Sequence, residues 1–254
     1  MKNLFIISFL ILCISDKVIS RDIGQTEITT EDGIEVFQVE KYYLLKKNVN
    51  IVSDNFELSA DQVKAYFEKD LYDIIKIESE GNVKLVSSKG LIATGEKINF
   101  STKSEDIIIL GIKSSLIYNN INMFSNERIQ VNNLNGKFNI KGKNSILKSK
   151  NIQIYGSLID GKYINVNDSN EIETLYVEDE NQSNIITDTS DMFAKKVIYN
   201  KKENTIELFE NVKIIRGGEI ITGDYAKMNT LKETYKIKSN NNNKVKALIS
   251  NTNE

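Results

Sequence analysis

Apolar and polar residues alternate with a period of two through most of this chain, the spacing of strands with one buried face. Val212 and Ile214 fall on one side, Lys213 and Ile215 on the other. Tyr235 and Ile237 alternate with Thr234, Lys236 and Lys238, and the same texture fills "KFNIKG", "SKNIQIYGSLIDGKYINVN" and "ETLYVED". β-branched residues dominate the apolar positions, and Gly, Asn, Asp and Ser separate the runs, which predicts many short antiparallel strands. One stretch, "ADQVKAYFEKDLYDIIK", fits a helical face, but its repeat partners are strand-like. It is therefore predicted as strand, with a turn around Glu68 to Asp73. The acidic, Asn-rich residues 168–184 are predicted to form a loop between halves or strand edges. Lys244 to Ile249 is predicted to add a last strand beyond a break at the Asn run, and 251–254 a disordered tail.

Three stretches repeat one design: "KNVNIVSDNFELSADQVKAYF" (47–67), "EGNVKLVSSKGLIATGEKINF" (80–100) and "ENVKIIRGGEIITGDYAKM" (210–228). Each opens with Asn-Val-x-Ile/Leu, passes a polar turn, and reaches an apolar strand followed by Asp61, Glu96 or Asp224. Such self-similarity marks a repeated supersecondary unit. A single twisted sheet would leave its apolar face wet, so the chain is predicted to fold on itself as an all-β antiparallel jelly roll or V-shaped double sheet.

Composition narrows the chemistry. The formal net charge is −2, with 33 basic and 35 acidic residues, which argues against a nucleic-acid binder. There is no His, Trp or Pro and a single Cys. The chain thus lacks the commonest general base and metal ligand. Lys2 followed by the apolar run Leu4 to Ile14 reads as a secretory signal, too short to span a bilayer, with cleavage expected after Ser20. An uncleaved anchor is the alternative. Cys13 belongs to the apolar run, so the mature protein would hold no thiol. Gly217-Gly218 is a turn with no phosphate-binding fingerprint around it. Asp61, Glu96 and Asp224 are expected to be turn residues bonding nearby backbone N–H groups rather than a carboxylate ladder. Lys84, Lys213 and Lys227 are expected on a solvated face.

The third copy, Asn211 to Ala226, and the second, Gly81 to Phe100, together with the opening Ile28 to Ile51, resemble the OstA-like (LptA-type) periplasmic domain of the lipopolysaccharide export system. The similarity runs from about Gln25 to Ile249 and is weakest at roughly 115–190. The resemblance implies a periplasmic, non-enzymatic carrier without cofactor or metal, whose sheets hold the acyl chains of lipopolysaccharide in an open groove. It also implies partners of the same shape: an LptC-type component of the inner-membrane exporter, an LptD-type outer-membrane protein, and head-to-tail copies of itself. The groove lining is expected from Ile28, Val49, Ile51, Leu58, Val83, Leu85, Ile92, Val212, Ile214, Ile221, Tyr235 and Ile237, with Phe100 and Met228 at equivalent repeat positions. Each of these could equally fill a closed core. Residues 21–250 form either one extended roll or two tandem halves, about 25–130 and 131–250. A carbohydrate-active enzyme on a repetitive β scaffold, and a structural surface protein, are the competing readings.

Overall fold

The computed structural model describes residues 22–69, 73–150, 152–167, 169–240 and 243–250. The signal and tail predicted at 1–20 and 251–254 lie outside them. The described residues form an 18-stranded antiparallel sheet without helix. Four strands open the fold: β1 (Glu27–Thr29), β2 (Ile34–Phe37), β3 (Tyr42–Val52) and β4 (Phe56–Phe67). Then come β5 (Ile74–Ser87), β6 (Ile92–Ser101), β7 (Asp106–Leu110), β8 (Ser114–Tyr118), β9 (Ile121–Ser125) and β10 (Arg128–Asn132). The second half holds β11 (Lys137–Ser149), β12 (Ile152–Val166), β13 (Ser169–Thr187), β14 (Asp191–Asn200), β15 (Thr205–Arg216), β16 (Glu219–Asn229), β17 (Thr234–Lys238) and β18 (Lys246–Ile249).

These strands are not short, as the turn spacing predicts. Most are long and folded in the middle. The pairing of β3 with β4, β4 with β5, β5 with β6 and each pair from β11 to β16 shifts register in mid-strand, between Lys46 and Val49 in the first pair and Phe209 and Val212 in the last; β4–β5 and β12–β13 each shift a second time, at Tyr66/Phe67 and Lys162/Tyr163. The mid-strand shifts line up as a corner that bends the ribbon into two facing layers. β1 and β2 both pair with β3, on either side of this corner; β7 and β8 do so on β6, β10 and β9 on β11, and β17 and β18 on β16. β7 pairs with β10 and β8 with β9, so the ladder is continuous from first strand to last.

The Asn-Val repeat is this corner. The pairs Lys47-Asn48, Gly81-Asn82 and Glu210-Asn211 have φ values of 60° and 48°, 78° and 49°, and 63° and 54°. Two successive left-handed residues cannot continue a strand, and Asn tolerates that region better than most residues. On the return strands the corner is a one-residue slip, so burial passes from Leu58 and Ala60 to Val63 and Ala65. The acidic repeat residues sit on that slip and tie adjacent corners together. Asn82 Nδ2 donates to Asp61 Oδ2 at 3.0 Å, Ile112 N to Glu96 Oε1 at 3.2 Å, and Asn240 N to Asp224 Oδ2 at 2.8 Å. They are mid-strand corner residues, not hairpin turns.

The segment expected as a loop at 168–184 lies instead within β13 over its described residues. Ile172, Leu175, Val177 and Ile185 point inward and its acids outward, so composition misled where alternation did not. The predicted strand nature of "ADQVKAYF" and the last strand at the C-terminus are both present as β4 and β18. One cluster of buried side chains runs between the layers from Leu45 to Met228.

Candidate functional site: the interior between the two layers

Register turns the alternation into two uninterrupted rows. In one layer the directly paired residues are Ile34, Leu45, Val63, Ser79, Ile98, Ile109, Ile129, Ile140, Ile159, Val177, Val197, Leu208, Ala226 and Ile237. In the other they are Ile28, Ile51, Leu58, Leu85, Ala93, Leu116, Met123, Leu147, Ile154, Ile185, Met192, Ile214, Ile221 and Ala247. Ser79 is the sole polar member, and its hydroxyl donates to Ile98 O at 2.8 Å. At the usual ~4.8 Å between strands, each row runs roughly 60 Å.

Six of the sequence-derived lining residues, Ile28, Ile51, Leu58, Leu85, Ile214 and Ile221, lie in the second row. Ile237 ends the first, beside Tyr235, and both pack on the core. Val49, Val83 and Val212 lie one step nearer the corner, opposite Ala60, Gly95 and Gly223. Small partners there let the layers meet: a Cβ on Gly95 would stand 2.6 Å from Ile109 Cγ2. Ile92 is a correction. It sits between buried Leu91 and Ala93 and faces the other side, because the strand's inward parity begins one residue earlier than the repeat suggests. Leu91, Ala93 and most of the first row were missed. Their signal, a period of two that slips by one at the corner, becomes visible only once the corner is placed. Phe100 and Met228 face the interior. Lys84, Lys213 and Lys227 stand on the outer face, Lys213 over the Phe193 ring and Lys227 bonded to Glu207 at 2.9 Å.

At the centre the inward side chains meet one another. Opposite the corner the layers part into a mouth with two cavities. One, of about 320 Å³, is lined by Phe56, Leu85, Leu91, Phe100, Ile107 and Tyr118 among others. The second, of about 340 Å³, lies between β11–β12 and β13–β14. A partition separates them. The Tyr118 and Tyr163 rings meet edge to face at 6.3 Å, and Tyr163 OH donates to Asn133 Oδ1 at 3.0 Å. Asn120 clasps the opposite layer: its Nδ2 donates to Asn170 O at 2.7 Å and its Oδ1 accepts from Asn170 N at 2.9 Å. Near the last strand Arg216 pairs with Glu233 and Tyr235 OH donates to Glu219 Oε2 at 3.0 Å.

Burial, with the charges of Tyr118 and Glu105 adding to it, pushes the Tyr163 hydroxyl up to about 12. A folded-state value above the unfolded one near 10 means that the stabilisation is complete below about pH 10 and lost as pH rises through about 12. Two pH units correspond to about 3 kcal/mol. Urea unfolding between pH 9 and 12 is expected to show this loss, and Tyr163→Phe to make it smaller, with Tyr66, also pushed up to about 12, keeping its own share.

The two rows end at strands with one neighbour each among the described residues: β1 and β2 at one edge, β17 and β18 at the other. Ile34, Val36, Leu248 and Ile249 on these edges are exposed. Among the described residues no three His, Cys, Asp or Glu side chains gather as a metal site.

No family model and no curated protein matches the chain. A solved structure described as LptH, the LptA homologous periplasmic component of the conserved lipopolysaccharide transport device from Pseudomonas aeruginosa, is similar at 10% sequence identity with a TM-score of 0.44. The likeness spans 52% of this chain and 96% of that one. At that identity and that looseness of superposition it carries no functional inference.

Proposed function

We propose that this chain is a periplasmic, non-enzymatic carrier that takes the acyl chains of lipopolysaccharide between its two layers and passes them along the apolar rows. The observation that carries this reading is the continuity of those rows from edge to edge. Moving one CH₂ from oil to water costs about 0.8 kcal/mol, so a twelve-carbon tail crossing water would cost roughly 10 kcal/mol. An unbroken apolar lane removes that barrier, and the layers, joined at the corner and again by the Asn120–Asn170 clasp and the Tyr118–Tyr163 partition, part on either side of that partition to admit the tail. The resemblance of the Asn-Val repeats to the OstA-like domain supports the same ligand.

The edges are docking surfaces in this reading, for an LptC-type partner, an LptD-type partner or a second copy. β1–β2 and β17–β18 run in opposite senses across the corner, so a second copy's first edge continues the last edge antiparallel. Ala247 then faces the next Ile28 and Ile237 the next Ile34, and both rows pass on unbroken. Lys236 meets the next Glu35. Within the one chain, β7 pairs with β10 and β8 with β9 in the same sense.

A photo-crosslinking residue tests this in cells. At Ile214 or Val83 it is expected to capture lipopolysaccharide, at outward Ile198 to capture none, and at Glu35 to join a second copy through its last edge. Folded protein giving no lipid adduct at either inward position overturns the carrier reading.

A further inference from the structure

The second mouth cavity has a feature the apolar rows do not require. Its floor is apolar, with Ile154 and Leu175 buried. Its rim carries Lys150 and Lys201 against one carboxylate, Glu171, which Lys201 bonds directly and Lys150 approaches at 3.8 Å. Among the described residues of the rim one positive charge is left over. Asn170, 1% exposed, also lines it. Its N–H and C=O are taken by Asn120, and its Oδ1 accepts from Asn165 Nδ2 at 3.2 Å, but its Nδ2 has no partner among the described residues. A buried donor without an acceptor carries its full desolvation cost, and an acceptor brought to it recovers that cost.

Resting on the carrier reading, we propose that this cavity seats the head of a singly charged anionic fatty amphiphile. The first stretch of the tail lies on Ile154 and Leu175. The anionic oxygens, of a carboxylate or a phosphodiester, accept from Asn170 Nδ2 and balance the surplus charge of Lys150 and Lys201. The seat adjoins the Asn120–Asn170 clasp, so the head is held where the partition begins and the tail lies in the slot. The volume, about 340 Å³, is that of a small-ligand site.

Calorimetric titration of the full chain, below the micelle concentration, tests this with three probes: laurate, a lyso-phosphatidylglycerol and neutral glyceryl monolaurate. The wild type is expected to bind at least one anion about tenfold more tightly than the neutral probe. Preference for one anion over the other identifies the carboxylate or the phosphodiester as the source. Lys150→Glu changes an exposed side chain and is expected to weaken the anion about tenfold and leave the neutral probe unchanged. Asn170→Leu is expected to act in the same direction. If the neutral probe binds and Lys150→Glu leaves anion affinity unchanged, the head seat is wrong and the slot stands. If no probe binds the wild type, the head seat is wrong, and the crosslinks at Ile214 and Val83 decide the carrier reading separately.

Discussion

Ile109→Asp is expected to prevent stable folding. Ile109 is fully buried at the middle of the first row, paired with Ile98 on one side and Ile129 on the other. A carboxylate there has no cation or donor facing it from the row. It must either stay charged, at several kcal/mol, or hold its proton at neutral pH, where a shift of 3–5 units costs about 4–7 kcal/mol. The lost apolar contacts add about 2 kcal/mol or more. That sum rivals the whole stability of a domain, about 5–15 kcal/mol. Circular dichroism and urea titration should show an unfolded or aggregated chain, while Ile112→Asp, at a position 66% exposed, should stay within about 0.5 kcal/mol of wild type. A cooperative native transition for Ile109→Asp would contradict a single packed interior crossing the β7–β10 junction.

Gly136→Ala is expected to lower stability by about 3 kcal/mol. Gly136 closes the hairpin from β10 to β11 at φ 72°, and a Cβ there would stand 2.1 Å from Tyr163 O. That neighbour is backbone and cannot rotate away. Tyr163 N also donates to Gly136 O at 3.0 Å, so any shift loosens the link between this hairpin and β12. Gly90→Ala makes the comparison: φ is 82°, nothing lies within 4 Å, and only the left-handed backbone cost of about 1 kcal/mol remains. Equal effects in urea denaturation would show that the close approach to Tyr163 carries no energy.

Much of the interior was legible beforehand because burial in an antiparallel strand writes a period of two into the residues themselves. Leu58, Leu85 and Ile214 follow it. Ile92 did not, since one register step moves a side chain to the opposite face. The Asn-Val repeat was visible as a repeat, but its meaning was not. An Asn before a strand looks the same whether it opens the strand or folds it over a corner, and only the backbone φ distinguishes them. The acidic stretch in β13 looked like a loop because its charges lie on the outer face of a strand whose inner face is as apolar as the others.

Taken alone, the order of residues determined that the described part of the chain is all-β, that one face of each strand is oily, and that a unit recurs. These are local properties, set by side-chain chemistry and by which backbone regions each residue tolerates. Tertiary structure decided that the oily faces join into two rows running from edge to edge, and that Asn120 clasps Asn170 across the mouth. It also decided that the unpartnered Asn170 amide lies beside Lys150 and Lys201. Those relations connect residues tens of positions apart, and they exist only after pairing register and the shared corner bring the strands side by side.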